Sequence, residues 1–174
     1  MPLTKYNILA IDDDPAMLRV YKNIFSWKRP STFDILLKKD SPPPKEALHP
    51  FCLFSSSLGK DGFQILKEQY DKGEVFPIAF VDMRMSPGWD GFRTVLELRE
   101  LDPRIYIVLV TAFSDRKIEE LQEQLQSRLI LLYKPFHRDE ILQLTRSLCQ
   151  EWERTHQLQK TITQLKEKLK KRSL

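Results

Sequence analysis

Apolar positions switch between two periods along this chain. Tyr6 to Ile11 (YNILAI) is a short apolar run that ends in Asp12, Asp13 and Asp14, and Pro15 then suits the first turn of a helix. Leu18, Tyr21, Ile24 and Phe25 follow at helical spacing. Phe51 to Phe54 is a second short run, and Gly59 to Gly73 reads as a helix with Phe63, Leu66 and Tyr70 on one face. Pro77 to Val81 (PIAFV) is a third run, closed by Asp82 and followed by a helical pattern over Gly91 to Leu101. Ile105 to Val110 (IYIVLV) is nearly all β-branched or apolar, the pattern of a strand buried on both faces. Ser114 to Leu125 is helical, with Ser114 or Asp115 available as its cap. Leu129 to Tyr133 reads as a fifth strand, and from Arg138 the pattern is helical nearly to the end.

Five strands alternating with five helices predict an α/β fold, a five-stranded parallel sheet wound on both faces. In such sheets ligands bind outside the carboxyl ends of the strands, so the residues that close each strand carry the functional question. One stretch interrupts the repeat. Residues 30 to 50 hold Pro30, Pro42, Pro43, Pro44 and Pro50, which predicts an extended, exposed insertion between the first helix and the second strand. Within it Phe33 to Leu37 could add an edge strand; a tolerated surface loop is the plainer expectation.

Composition narrows the class. The chain has 174 residues, 41% of them hydrophobic and 30% charged, enough for one core under a well-solvated surface. No apolar run approaches the roughly 18 residues needed to span a bilayer, and the start has no apolar stretch of signal-peptide type. A cytoplasmic setting is therefore expected, with no membrane partner. Cys52 and Cys149 both sit among apolar neighbours and read as small buried hydrophobes. Three histidines, two cysteines and no CxxC argue against a zinc site.

The strand ends bring chemistry. The first closes in Asp12-Asp13-Asp14, the third in Asp82, the fourth in Thr111-Ala112 and the fifth in Lys134-Pro135-Phe136. On a parallel sheet these converge on one rim. Carboxylates packed together repel and need a cation, and an oxygen-only set suits Mg²⁺. A lysine and a hydroxyl beside such a cation are what a phosphoryl group requires, and a carboxylate such as Asp82 can act as the nucleophile that forms an acyl phosphate.

The strings ILAIDDDP, FVDMRMSPGWDG, VLVTAF and YKPF, in this order and each at a predicted strand end, resemble the receiver domain of bacterial two-component response regulators. The resemblance covers about residues 5 to 149, less the insertion. It implies a flavodoxin-like fold, with the receiver over 1–149 and a helical extension over 150–174. By position, Asp82 resembles the phosphoacceptor, and Asp12 and Asp13 the acidic pair that holds Mg²⁺. The main-chain carbonyl of Arg84 would be a further metal ligand. Thr111 would meet the phosphoryl oxygens, and Lys134 would pair with the phosphoryl charge. Ala112 is small, as that position usually is, and the bond before Pro135 is expected to be cis. Asp14 reads as a helix-start carboxylate rather than a ligand. The wide loop string with Pro-Gly-Trp-Asp-Gly resembles a receiver subgroup found at the front of larger signalling proteins. Two departures stand out: the loop from Asp82 to Gly91 is one residue longer than usual, and the position three before Lys134, commonly aromatic in the family, is Leu131.

In the tail a heptad can be written from Ile141, with Ile141, Leu148, Thr155, Ile162 and Leu169 at a and Leu144, Glu151, Leu158 and Leu165 at d. Seven of the nine are aliphatic, which predicts a coiled coil weak at Glu151 and Thr155. A parallel homodimer through this helix is one reading; a linker helix leading to an output domain beyond Leu174 is another, and the two are compatible. The chain carries 28 Lys or Arg against 24 Asp or Glu, a formal charge of +4. Residues 151–174 hold seven basic and three acidic side chains, which leaves 21 of each in residues 1–150. The basic excess thus belongs to the flank of the projecting helix, and nucleic acid is not the expected partner.

The expected function is a phosphoacceptor receiver. It would take a phosphoryl group from a histidine kinase or phosphotransfer protein onto Asp82 with Mg²⁺ and signal through its last helix. No separate catalytic domain is seen. The alternative is a receiver-like interaction module that works without phosphorylation. A haloacid-dehalogenase-like phosphohydrolase, suggested by Asp12-x-Asp14, fits less well, because the late strand ends carry Thr111 and Lys134 rather than acids.

Overall fold

The structure is a computed structural model and describes residues 6–25, 51–112, 116–125 and 127–172. The insertion at 30–50 and the helix-cap candidates Ser114 and Asp115 lie outside the described residues. In chain order the elements are β1 (Tyr6–Ile11), α1 (Pro15–Phe25), β2 (Phe51–Ser56), α2 (Gly59–Asp71) and β3 (Ile78–Asp82). They continue as α3 (Gly91–Leu101), β4 (Tyr106–Thr111), α4 (Arg116–Leu125), β5 (Leu129–Tyr133) and α5 (Arg138–Arg172). The five strands form one parallel sheet in the order β2-β1-β3-β4-β5.

Strand alternation sorts the core into two layers. Leu9, Ile11, Ala79, Val81, Ile107 and Leu109 point to one face and pack on Leu66 of α2, Val95 and Leu98 of α3 and Leu121 of α4. Ile8, Ala10, Ile78, Phe80, Val108 and Val110 point to the other and pack on Tyr21 and Ile24 of α1 and Ile141 and Cys149 of α5. β1, β3 and β4 are covered on both sides, which is why their sequences read as unbroken apolar runs.

β3 and β4 each sit one residue further along than the sequence reading, at Ile78–Asp82 and Tyr106–Thr111, and two other boundaries differ more, for local reasons. β2 continues through Ser55 and Ser56, which pair with Ala10 and Ile11 although neither is apolar. Ser56 then turns the chain, its Oγ accepting from Leu58 N at 3.1 Å. α2 stops at Asp71 because Gly73, at φ 81°, closes the helix with its N–H on Tyr70 O at 2.9 Å.

Helix α5 runs unbroken for 35 residues, on the order of 50 Å. The seam expected from Ile141 divides along it. Ile141, Thr145, Cys149 and Trp152 are buried against the body, and Leu144 and Leu148 pack partly against the same core. Leu158, Ile162, Leu165 and Leu169 are 49–64% exposed and lie roughly a third of a turn round the helix from the buried stripe. Tyr6 Oη donates to Glu153 Oε2 at 2.5 Å and ties α5 to the first residue of β1 just before the helix leaves the body. No described helix is long and apolar enough to cross a membrane.

Candidate functional site

The parallel register brings the ends of β1, β3, β4 and β5 to one rim. Asp12 follows β1 directly and is 1% exposed; Asp82 closes β3 at 7% and Thr111 closes β4 at 3%. Lys134 follows β5, its main-chain N–H on Thr111 O at 2.8 Å. Its Nζ donates to Asp82 Oδ1 at 2.6 Å and to Asp12 Oδ2 at 2.9 Å. The Lys134–Pro135 bond is cis, as expected from the sequence.

Main-chain donors hold the remaining carboxylate oxygens. Asp12 Oδ1 accepts from Asp14 N at 3.0 Å, and Asp82 Oδ2 accepts from Arg84 N at 2.8 Å. Asp13 is partly exposed, and its Oδ2 accepts from Ser86 N at 3.0 Å across the loop after β3. Asp14 turns away: its Oδ1 accepts from Ala16 N at 2.8 Å at the start of α1, so it serves the helix. Ala112 is exposed beside the rim.

Burial and charge compete here. Burial lifts the Asp12 carboxyl above its ordinary value, and the bonds from Lys134 and Asp14 N only partly oppose that. For Lys134 burial alone would lower the ammonium, but the hydrogen bonds to Asp82 and Asp12 win and hold it above its ordinary value. Asp12, Asp13 and Asp82 bring three negative charges against the one of Lys134. That leaves two charges uncompensated in the bonded set, the charge of one divalent cation. Among the described residues, however, no three His, Cys, Asp or Glu side chains are grouped closely enough to make a metal site by themselves. A cation here would lean on main-chain carbonyl and water oxygens, as Mg²⁺ commonly does.

The sequence motifs did not reveal several supports. The loop between Asp82 and Gly91 contains a second cis bond, Ser86–Pro87, and Gly88 at φ 102°, a conformation that favours glycine. A Cβ at Gly91 would stand 2.3 Å from Asp82 O, so only glycine lets α3 start this close to the acid. Asp90 caps that helix through Arg93 N at 2.9 Å. Tyr21, 1% exposed, packs on Phe80 and Phe136, and its phenol is held above its ordinary value by burial and then by the charges of Asp12 and Asp82. The helical period marked Tyr21 as a core residue, but nothing in it marked this proximity. Leu131 packs partly into the core beside Leu109, while Tyr133, opposite Thr111, is 52% exposed.

No family model matches the chain, and no curated protein matches it. Solved structures do. A CheY-like response regulator receiver domain protein from Methanospirillum hungatei JF-1 is 17% identical, with a TM-score of 0.64, over 87% of this chain and 99% of that one. The adenylate cyclase structure from Rhodopirellula baltica is 20% identical, with a TM-score of 0.68, over 92% and 98% of the two chains. A fusion carrying the trimeric coiled coil of yeast Spc42 is 13% identical, with a TM-score of 0.63, over 98% and 95%. Most of the solved structures that match are response-regulator receiver domains, so the chain has the receiver-domain fold, a five-stranded doubly wound α/β sheet with a long C-terminal helix added.

Proposed function

We propose that the chain is a phosphoacceptor receiver, residues 1–149, whose Asp82 takes a phosphoryl group from a histidine kinase or phosphotransfer protein. The observation that carries this reading is Lys134 Nζ, hydrogen-bonded to Asp82 Oδ1 at 2.6 Å and Asp12 Oδ2 at 2.9 Å. A carboxylate oxygen of Asp82 attacks phosphorus, and the donor's imidazole (or, from acetyl phosphate, acetate) departs with the electron pair of the broken bond. Lys134 stays beside the new acyl phosphate and matches its charge, and the Thr111 hydroxyl would meet a phosphoryl oxygen. Asp12, Asp13, Asp82 and the Arg84 carbonyl are the groups that would hold Mg²⁺. Bound there, it would supply charge neutralisation for the phosphoryl oxygens.

The added charge draws on the Lys134 bond that now joins β5 to β3, and Pro135 and Phe136 lead from that lysine into α5. We place the output there. The exposed positions Leu158, Ile162, Leu165 and Leu169 form a short apolar seam, and a neighbour matched over 98% of this chain carries a trimeric coiled coil. A homodimer through the extension at 150–174 covers that seam.

The test is incubation with acetyl phosphate and Mg²⁺, read by intact mass. One added phosphate on the wild type and none on Asp82→Asn is expected. An unlabelled wild type, under conditions that label a control receiver, sinks the reading. A second reading, an interaction module that ignores phosphorylation, draws on Leu131: its core packing leaves no aromatic at that position to move. A dimer equilibrium unchanged by beryllofluoride would favour it.

A further inference from the structure

At the end of the sheet opposite the acid rim, three arginines meet the segment where α5 leaves the body. Arg99 of α3 donates to Ser127 O at 3.0 Å and to Arg128 O at 2.9 Å. Arg128 sits in the turn before β5 at φ 58°, donates to Pro103 O at 3.2 Å, and lies 5.6 Å from the centre of the Tyr106 ring. Arg104 grips Asp102 through Nε at 2.9 Å and Nη2 at 3.1 Å. Facing them, the Trp152 and His156 rings stack with centres 5.0 Å apart. Arg104, Arg128, Trp152, Thr155, His156 and Gln159 enclose a cleft of about 10 Å³, room for one oxygen-sized group.

Two independent observations say what this cleft lacks. The first is charge. Asp102 is 1% exposed and both its oxygens are taken by Arg104, so among the described residues Arg99 and Arg128 bond to main-chain carbonyls rather than to a carboxylate. Burial, and next the neighbouring charge of Arg128, hold the Arg99 guanidinium below its ordinary value. The second is hydrogen bonding. Among the described residues the buried side-chain nitrogens without a partner are Arg99 Nε and Trp152 Nε1; Trp152 lines the cleft, and Arg99, which does not line it, carries the carbonyls of Ser127 and Arg128 behind it. A cleft lined by two guanidinium groups, with an unpartnered indole N–H on its wall, suits an anion.

We propose that this cleft binds a small oxyanion of the phosphate type. One oxygen enters between the arginines and the Trp152–His156 stack, and the others stay toward solvent. Two guanidinium groups favour a phosphate dianion over a monovalent carboxylate or chloride. The bound anion bridges the turns before β4 and β5 to α5, so it fastens the helix where it leaves the body. This binding involves neither Asp82 nor any phosphoryl transfer.

Inorganic phosphate titrated into the full chain at constant ionic strength tests it, with chloride and acetate as matched controls. The readout is the Trp152 indole N–H resonance, identified by its loss in Trp152→Phe. A saturable shift with phosphate alone is expected, about tenfold weaker in binding for Arg128→Gln and weakened also for His156→Ala, with Arg93→Gln unchanged. Circular dichroism checks the fold of each variant, and His156→Ala decides if Arg128→Gln does not fold. No saturable shift, an equal response to chloride or acetate, or unchanged affinity in folded His156→Ala overturns the proposal.

Discussion

Lys134 and Asp82 are joined at 2.6 Å from the ends of two strands that are not neighbours in the sheet, with β4 between them. The bond is half-sheltered: the lysine side chain is 24% exposed and the aspartate 9%. Lys134→Ala strands the carboxylates of Asp82 and Asp12. Full burial would make that loss several kcal/mol, but partial exposure reduces it, so about 1–3 kcal/mol of stability is expected to go. Urea unfolding measures it. In an Asp82→Asn background the same substitution should cost less, because one of the two stranded charges is already absent; an equal cost in both backgrounds would contradict the pairing.

Gly91→Ala is expected to be among the most damaging single methyl additions. The new Cβ would meet Asp82 O at 2.3 Å and Met83 Cα at 2.6 Å, both main-chain atoms that cannot swing away. Overpacking of this kind costs about 1–3 kcal/mol and should displace the acceptor as well. Gly73→Ala is the control: no atom lies within 4 Å of its Cβ, so its cost comes from φ alone. Paired urea curves and acetyl phosphate labelling rates separate the two effects.

Alkaline pH should weaken the fold. Burial pushes the Cys149 thiol up to about 12. Burial also raises the phenols of Tyr6 and Tyr21, assisted by Glu153 for the first and by Asp12 and Asp82 for the second. All three groups keep their protons in the folded chain longer than in the unfolded one. Above the ordinary thiol value the unfolded state therefore binds fewer protons, and stability falls as pH rises toward the folded values. The urea midpoint should hold steady near neutrality and drop progressively above about pH 9. Cys149→Ala and Tyr6→Phe should each flatten that drop, and a midpoint level through that range would refute the assignment.

If the distal seam makes the dimer, Ile162→Glu should shift sedimentation to the monomer without moving the unfolding midpoint of the body, because Ile162 is 49% exposed. Ile141→Glu is the opposite case: that residue is fully buried, so the body itself should unfold.

Much of this architecture was legible in the sequence because burial on both faces leaves a strong local mark. β4 could be read almost to the residue, and Asp12, Asp82, Thr111 and Lys134 stand at strand ends because the strands before them are plain. The helix pattern in α5 was as clear, but a heptad cannot say what covers it. Ile141 and Ile162 occupy the same position in the repeat, yet one lies in the core and the other in solvent. The β2 serines were missed because their pairing comes from Ala10 and Ile11, far along the chain. The arginine cluster was invisible for the same reason. Arg99, Arg104 and Arg128 lie on a helix and two turns, and only the closed sheet brings them beside Trp152.

The continuity of α5 fixes an angle as well as a distance. Nothing between Trp152 and Leu158 breaks the helix, so the direction in which the exposed seam faces is set by the number of residues counted from the body. One residue inserted there would turn the seam by about 100°, whereas seven would return it to within about 20° of its starting azimuth. The joint thus acts as a dial with a sevenfold tolerance. Whatever meets the seam reads the orientation of the sheet through it, and length changes in this helix matter by their remainder rather than by their size.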